Sequence, residues 1–141
     1  MIRKSENKDV NKIMTIWKES TIKAHDFIDK QYWEDNYETV KNTYLPISET
    51  FVYVDQDNIK GFISVIENEF IGALFIDVNY QGEGIGSKLI DYVSEKYGDL
   101  ELAVYKDNEK AVKFYQEKGF KIVKEQETEN PKFKEYIMKK H

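Results

Sequence analysis

Val10, Ile13, Met14, Trp17 and Thr21 recur at three- and four-residue steps, the spacing of one helical face, and Asp9 stands where an N-cap is expected. From about residue 29 to 43, Trp33, Tyr37 and Val40 mark a second helix. Leu45-Pro46 is expected to end it, because a residue before proline is pushed out of helical backbone angles. The period then changes. Residues 50–54 are β-branched and aromatic, 55–58 read as a turn, 59–66 as a returning strand, and Glu67-Asn68 as another tight connection. Residues 70–76 are apolar on both alternating faces, which suits a central strand covered on both sides. Ile85, Leu89, Ile90, Val93 and Tyr97 predict a helix closed by Gly98. Residues 100–105 read as a strand and 108–118 as a helix, with Ala111, Phe114 and Tyr115 on one side and Gly119 behind it. Residues 120–124 and 133–138 read as the last strands. The order β-α-α-β-β-β-α-β-α-β-β is α/β (α+β) in class, an antiparallel front half followed by strand–helix–strand units.

The length of 141 residues, with no linker, repeat or low-complexity stretch, predicts one domain over 1–141. Hydrophobic residues at 40% and charged residues at 33% exclude both a disordered chain and a membrane-embedded one. The absence of cysteine excludes disulfides, thiolate metal sites and a cysteine nucleophile. His25 and His141 are the only histidines, too few for a multi-histidine metal centre, so no metal is expected. The charge balance of 21 − 26 = −5 opposes a nucleic-acid footprint and favours a small or cationic partner. The N-terminal segment has no apolar signal core and no apolar run approaches 18 residues, so the expected setting is cytoplasmic, with no membrane partner.

Candidate chemistry concentrates in Gln81-Gly82-Glu83-Gly84-Ile85-Gly86-Ser87, between the apolar strand and a helix. Glycines there let the backbone take positive φ and approach a ligand closely. The first helical turn leaves amide N–H groups unpartnered at the positive end of the macrodipole, a site for phosphate or pyrophosphate. The P-loop pattern fails because Ser87 stands where its second glycine belongs. The dinucleotide fingerprint fails at that same serine, and the strands ahead of the loop read as an antiparallel meander. On the loop alone, a ligand-free glycine turn remains the alternative.

The segment from Gln81 to Gly86 resembles the Q/R-x-x-G-x-G/A motif of the GNAT superfamily of N-acetyltransferases. Residues 73–78 resemble the strand before that motif. Asn108, Ala111, Tyr115, Gly119 and Phe120 match the N-x-x-A-x-x-x-Y-x-x-x-G-F block one strand later. Two blocks in the right order and separation carry more weight than either alone. Within the superfamily the chain is similar to the small bacterial YjaB-type acetyltransferases, which carry a segment like residues 24–28. Val78 departs from the proline frequent in the family, which changes the loop's stiffness and not its donors.

The resemblance implies a single GNAT fold. Its mixed sheet would have about six to seven strands, splayed between the fourth and fifth and flanked by about four helices. It implies acetyl-CoA as co-substrate. The pyrophosphate would lie on the loop of Gln81, Gly82, Glu83, Gly84, Ile85, Gly86 and Ser87, and the pantetheine arm against the backbone of Leu74, Phe75 and Ile76. Asn108 and Tyr115 would lie beside the sulfur. Lys88, Lys106, Lys110 and Lys113 are available to meet the phosphates. Without cysteine, direct attack by a bound amine is the simplest transfer. Tyr115 is the candidate general acid, since a phenol of pKa about 10 can protonate a departing thiolate. A core tyrosine and an ordinary helix cap are the plain alternatives for Tyr115 and Asn108.

Glu67, Glu69, Glu101 and His25 are candidate bases, none at a clean family position. Glu69 is one residue from the usual carboxylate position, here Phe70, and Ala103 holds another. The acceptor pocket is expected between the helical front half and the split in the sheet. Its candidate wall residues are His25, Phe27 and Trp33, with Trp17 and Tyr37. The expected partner is a small-molecule or protein amine, the expected state a monomer or homodimer. A non-catalytic acyl-CoA-binding or sensor module of the same fold is the rival function.

Overall fold

The computed structural model describes all 141 residues. The chain runs through β1 (Ile2–Lys4), α1 (Val10–Ala24), α2 (Lys30–Thr39), a π-helical turn (Val40–Tyr44), α3 (Leu45–Ile47), β2 (Ser48–Asp55), β3 (Asn58–Ile66) and β4 (Phe70–Ile76). It continues through α4 (Ile85–Tyr97), β5 (Leu100–Tyr105), α5 (Glu109–Glu117), β6 (Lys121–Glu127) and β7 (Lys134–Lys140). The strands form one seven-stranded sheet in the order β1-β2-β3-β4-β5-β7-β6. All neighbours are antiparallel except β4 and β5. This mixed α/β architecture agrees with the element order expected from the sequence.

The two hairpin connections form as the turn residues dictate. Gln56 and Asp57 both have positive φ, as do Glu67 and Asn68, the backbone of a two-residue hairpin turn that follows the twist of its strands. The second helix differs from expectation. Helical backbone continues past residue 43, because a π turn lets the Leu45 N–H reach the Val40 carbonyl. Pro46 then falls in the first turn of α3, where its missing N–H costs no helical bond. Asp9 does precede α1, but its carboxylate accepts from Arg3 and from the Glu6 N–H instead of capping the helix.

Apolar stripes split the core into two layers, one on each side of the sheet. Ile85, Leu89, Ile90 and Val93 of α4 bury against Ile63, Val65, Leu102 and Met138. Ile13, Met14, Ile16 and Trp17 of α1, with Trp33 of α2, bury against Val52, Ile59 and Phe62. Alternation along β3 serves both layers at once, which is why that strand is buried on both faces. No helix is long and apolar enough to cross a membrane.

Candidate active site

The site begins with a gap. β5 pairs with β7 along its whole length, from Leu100↔Lys140 to Tyr105↔Glu135, yet it meets β4 only at Phe70↔Glu101 and Ile71↔Leu102. A register irregularity at Ser64/Val65 bends the β3–β4 pair at that point, and beyond it β4 and β5 part. The Asp77 N–H bonds the Lys60 carbonyl at 2.8 Å, so by strand alternation Phe75 bonds toward β3. Leu74 and Ile76 therefore turn their N–H and C=O groups into the gap. The Ile76 carbonyl is already held by the Ser20 hydroxyl at 2.6 Å and the Gln81 amide at 3.2 Å. The β4–β5 pairing stops at Ile71↔Leu102, so both backbone groups of Leu74 and the N–H of Ile76 face no partner strand.

The gap opens onto the glycine loop. Gly82 and Gly84 both have φ of +82°, and no atom lies within 4 Å of where a side chain would start at either position. The loop thus combines a backbone that disfavours other residues with an open approach. Gly84 caps α4, and the first helical bond runs from the Lys88 N–H to its carbonyl at 3.2 Å. The N–H groups of Ile85, Gly86 and Ser87 precede that bond and have no acceptor within the helix.

Of the expected cations, Lys106 pairs with Glu125 at 3.0 Å, Lys88 follows Ser87 in the first turn of α4 and lies over the Tyr53 ring, and Lys110 and Lys113 are exposed on α5. Lys118 also reaches the loop, with Nζ 2.8 Å from the Ser87 hydroxyl and 2.7 Å from Asp91. In the sequence it is only the last residue of the helix expected over 108–118.

Across the gap, Asn108 caps α5 by accepting from the Ala111 N–H at 3.3 Å. Its side-chain nitrogen lies 3.4 Å from His25 Nε2, while His25 Nδ1 lies 2.8 Å from the Thr21 carbonyl. These contacts fit a neutral ring with the proton on Nδ1, bonded to Thr21, and Nε2 accepting from Asn108. Burial lowers the His25 pKa, partly opposed by the bond to Thr21. With both nitrogens engaged, His25 is placed as a fastener between α1 and α5. Tyr115, two turns further along α5, packs its ring against Phe114 and Phe120. Burial pushes its phenol above the ordinary value, and no hydrogen-bond partner offsets this. Of the candidate bases, Glu101 is engaged by Lys139 at 3.4 Å, Glu69 flanks the closed end of the gap, and Glu67 lies in the β3–β4 turn.

Beside this cluster lies a cavity of about 220 Å³, walled by Phe27, Tyr32, Tyr105 and Phe133 and edged by Asp29, Glu129 and Lys132. Phe27, a candidate wall residue, lines it. His25 and Trp33 lie behind the wall, stacked on one another at 5.0 Å and each touching Tyr105. Trp17 and Tyr37 belong to the packing between α1 and α2. A wider hollow of about 640 Å³ opens on the solvent side of α1 and α2, among Thr15, Lys18, Glu19, Glu34 and Glu38, away from the gap.

Residues 15–141 match the family model described as the acetyltransferase (GNAT) domain. The chain belongs to the GNAT acetyltransferase family. This family membership makes it an acyltransferase that depends on acetyl-CoA. The chain is 36% identical over 123 residues to the peptidyl-lysine N-acetyltransferase YiaC of Escherichia coli, spanning 87% of this chain and 84% of that one. The solution structure of apo YjaB from Escherichia coli superposes with a TM-score of 0.85 at 27% identity, covering 99% of this chain and 95% of that one. The PaiA N-acetyltransferase of Thermoplasma acidophilum, solved with coenzyme A, shares the fold with a TM-score of 0.80 at 21% identity, over 99% and 97% of the two chains. In this GNAT chain the expected split between the fourth and fifth strands is present.

Proposed function

We propose that the protein transfers the acetyl group of acetyl-CoA to a primary amine by direct attack, with Tyr115 as general acid. The observation that carries this reading is the continuous rail formed by the β4–β5 gap and the amide cluster at its mouth. The pyrophosphate would be held by the N–H groups around Gly82, Gly84, Ile85, Gly86 and Ser87, with the Gln81 and Glu83 segment alongside and Lys118 adding a charge. The two amides of the pantetheine arm match the free groups of Leu74 and Ile76, a ligand added as a strand. Asn108 would face the thioester end.

In the transfer, the amine lone pair forms the C–N bond on the thioester carbonyl. The C–S bond then breaks, the sulfur takes the Tyr115 proton, and the nitrogen's surplus proton restores the phenol through water. A buried phenol is a weaker acid than a free one. A thiolate taken out of water beside Tyr115 would have its proton affinity raised as well, so both would move the same way. Neutralising an alkylammonium at pH 7 costs about 4–5 kcal/mol, within reach of water-mediated loss. The acceptor class follows the relatives: YiaC is named a peptidyl-lysine acetyltransferase, and a lysine side chain is a primary amine. Calorimetric titration with acetyl-CoA, followed by thiol release over a panel of amines, tests the reading. Saturable binding with amine-dependent thiol release is expected. Saturable binding without any turnover would indicate a sensor module.

A further inference from the structure

No residue of β4, the glycine loop or α5 lines the aromatic cavity, so it is distinct from the gap where the reacting nitrogen would be held. Its volume, about 220 Å³, is below the roughly 300–1,000 Å³ of a pocket for a whole ligand and suits one limb of a larger one. Four aromatic rings line it. Glu129, from the loop between β6 and β7, has the Tyr32 hydroxyl at 3.4 Å as its polar partner and no cation in an ion pair. The Tyr32 and Tyr105 phenols are both raised, first by burial, then for Tyr32 by Glu129 and for Tyr105 by Tyr32 and the more distant Glu135 and Glu129, so they stay neutral. Of the other charged residues at the rim, the Asp29 carboxylate is committed to capping α2, and the Lys132 ammonium forms no ion pair. Aromatic faces with a free carboxylate at the mouth are the chemistry that recognises an organic ammonium.

We propose that this cavity is a subsite for a second, non-reacting cation of the acceptor, held by Glu129 and the rings of Phe27, Tyr32, Tyr105 and Phe133. The inference rests on the amine-acetyltransferase reading and sharpens it: the preferred acceptor is dibasic. The second charge can come from a free diamine or from a basic residue next to an acceptor lysine.

The test is calorimetric binding to the protein saturated with coenzyme A. 1,5-Diaminopentane is compared with 1-aminopentane, and a short Lys-Lys peptide with a Lys-Ala peptide of the same length. Binding of the dibasic member about tenfold tighter in either pair is expected, with Glu129→Gln bringing the ratio near unity and the Glu129→Gln melting temperature matching wild type. Preference in the first pair points to a free diamine and in the second to a basic protein segment. Equal binding within both pairs, or a preference that survives Glu129→Gln, overturns the subsite. Thiol release with the same compounds is read separately: its absence alongside an intact binding preference counts against acetyl transfer and leaves the subsite standing.

Discussion

The two sides of the β4–β5 gap are built by different means. On the side proposed for the coenzyme, the exposed groups are main-chain amides, fixed by two left-handed glycines and a helix end within a few residues of each other. On the side proposed for the acceptor, the cavity is lined by side chains gathered from the turn after α1, from α2, from β5 and from the β6–β7 loop. A site made of backbone depends on local conformation and tolerates change in most side chains around it. A site made of converging side chains depends on the whole fold holding distant segments in register.

Substitutions can break or sharpen that contrast. Tyr115→Phe is the largest: kcat should fall by about 10²–10⁴-fold, the usual worth of a general acid, while acetyl-CoA affinity by calorimetry stays within about twofold. Near-normal kcat would return Tyr115 to the core it packs against. Gly84→Val comes next. A β-branched residue at φ of +82° costs about 1–2 kcal/mol or more in backbone strain. Acetyl-CoA binding should weaken at least about tenfold, with a lower melting temperature. Unchanged affinity would show that the loop does not grip the coenzyme through its backbone.

His25→Gln probes the join between the two sides. The native ring has a pKa below the unfolded value of 6.5, so the unfolded chain binds the proton more readily. Stability contributed by the neutral ring is complete above pH 6.5 and is lost as pH falls from there toward the native pKa. The slope is at most about 1.4 kcal/mol per pH unit. Denaturant unfolding between pH 7 and 5 should show that slope in the native chain and a smaller one in the variant. Lys118→Ala is the mildest change: about a three- to tenfold rise in the Kd for coenzyme A, shrinking as salt is added. A salt-independent effect would make Lys118 a packing residue.

The glycine loop was legible in the sequence because its determinants are contiguous. Glycines at 82 and 84 between an apolar strand and an apolar-periodic helix report their own backbone geometry, and the Asn108–Tyr115 spacing reports a helix. Of the aromatic cavity, only Phe27 was among the residues singled out in the sequence. Tyr105 lies among strand residues, and Glu129 and Phe133 lie around a loop proline. Nothing in their spacing ties them to Tyr32, since their meeting depends on how β5, β6 and β7 pair. His25 and Trp33 were found as aromatic neighbours, yet the fold places them one layer behind the surface they were expected to form. Lys118 was missed because its partner Ser87 is 31 residues away.

The Ser20 hydroxyl on the Ile76 carbonyl and the Lys12 ion pair with Asp77 tie the first long helix to the edge of the β4–β5 gap. A substitution that displaces α1 should therefore carry the rim of that opening with it.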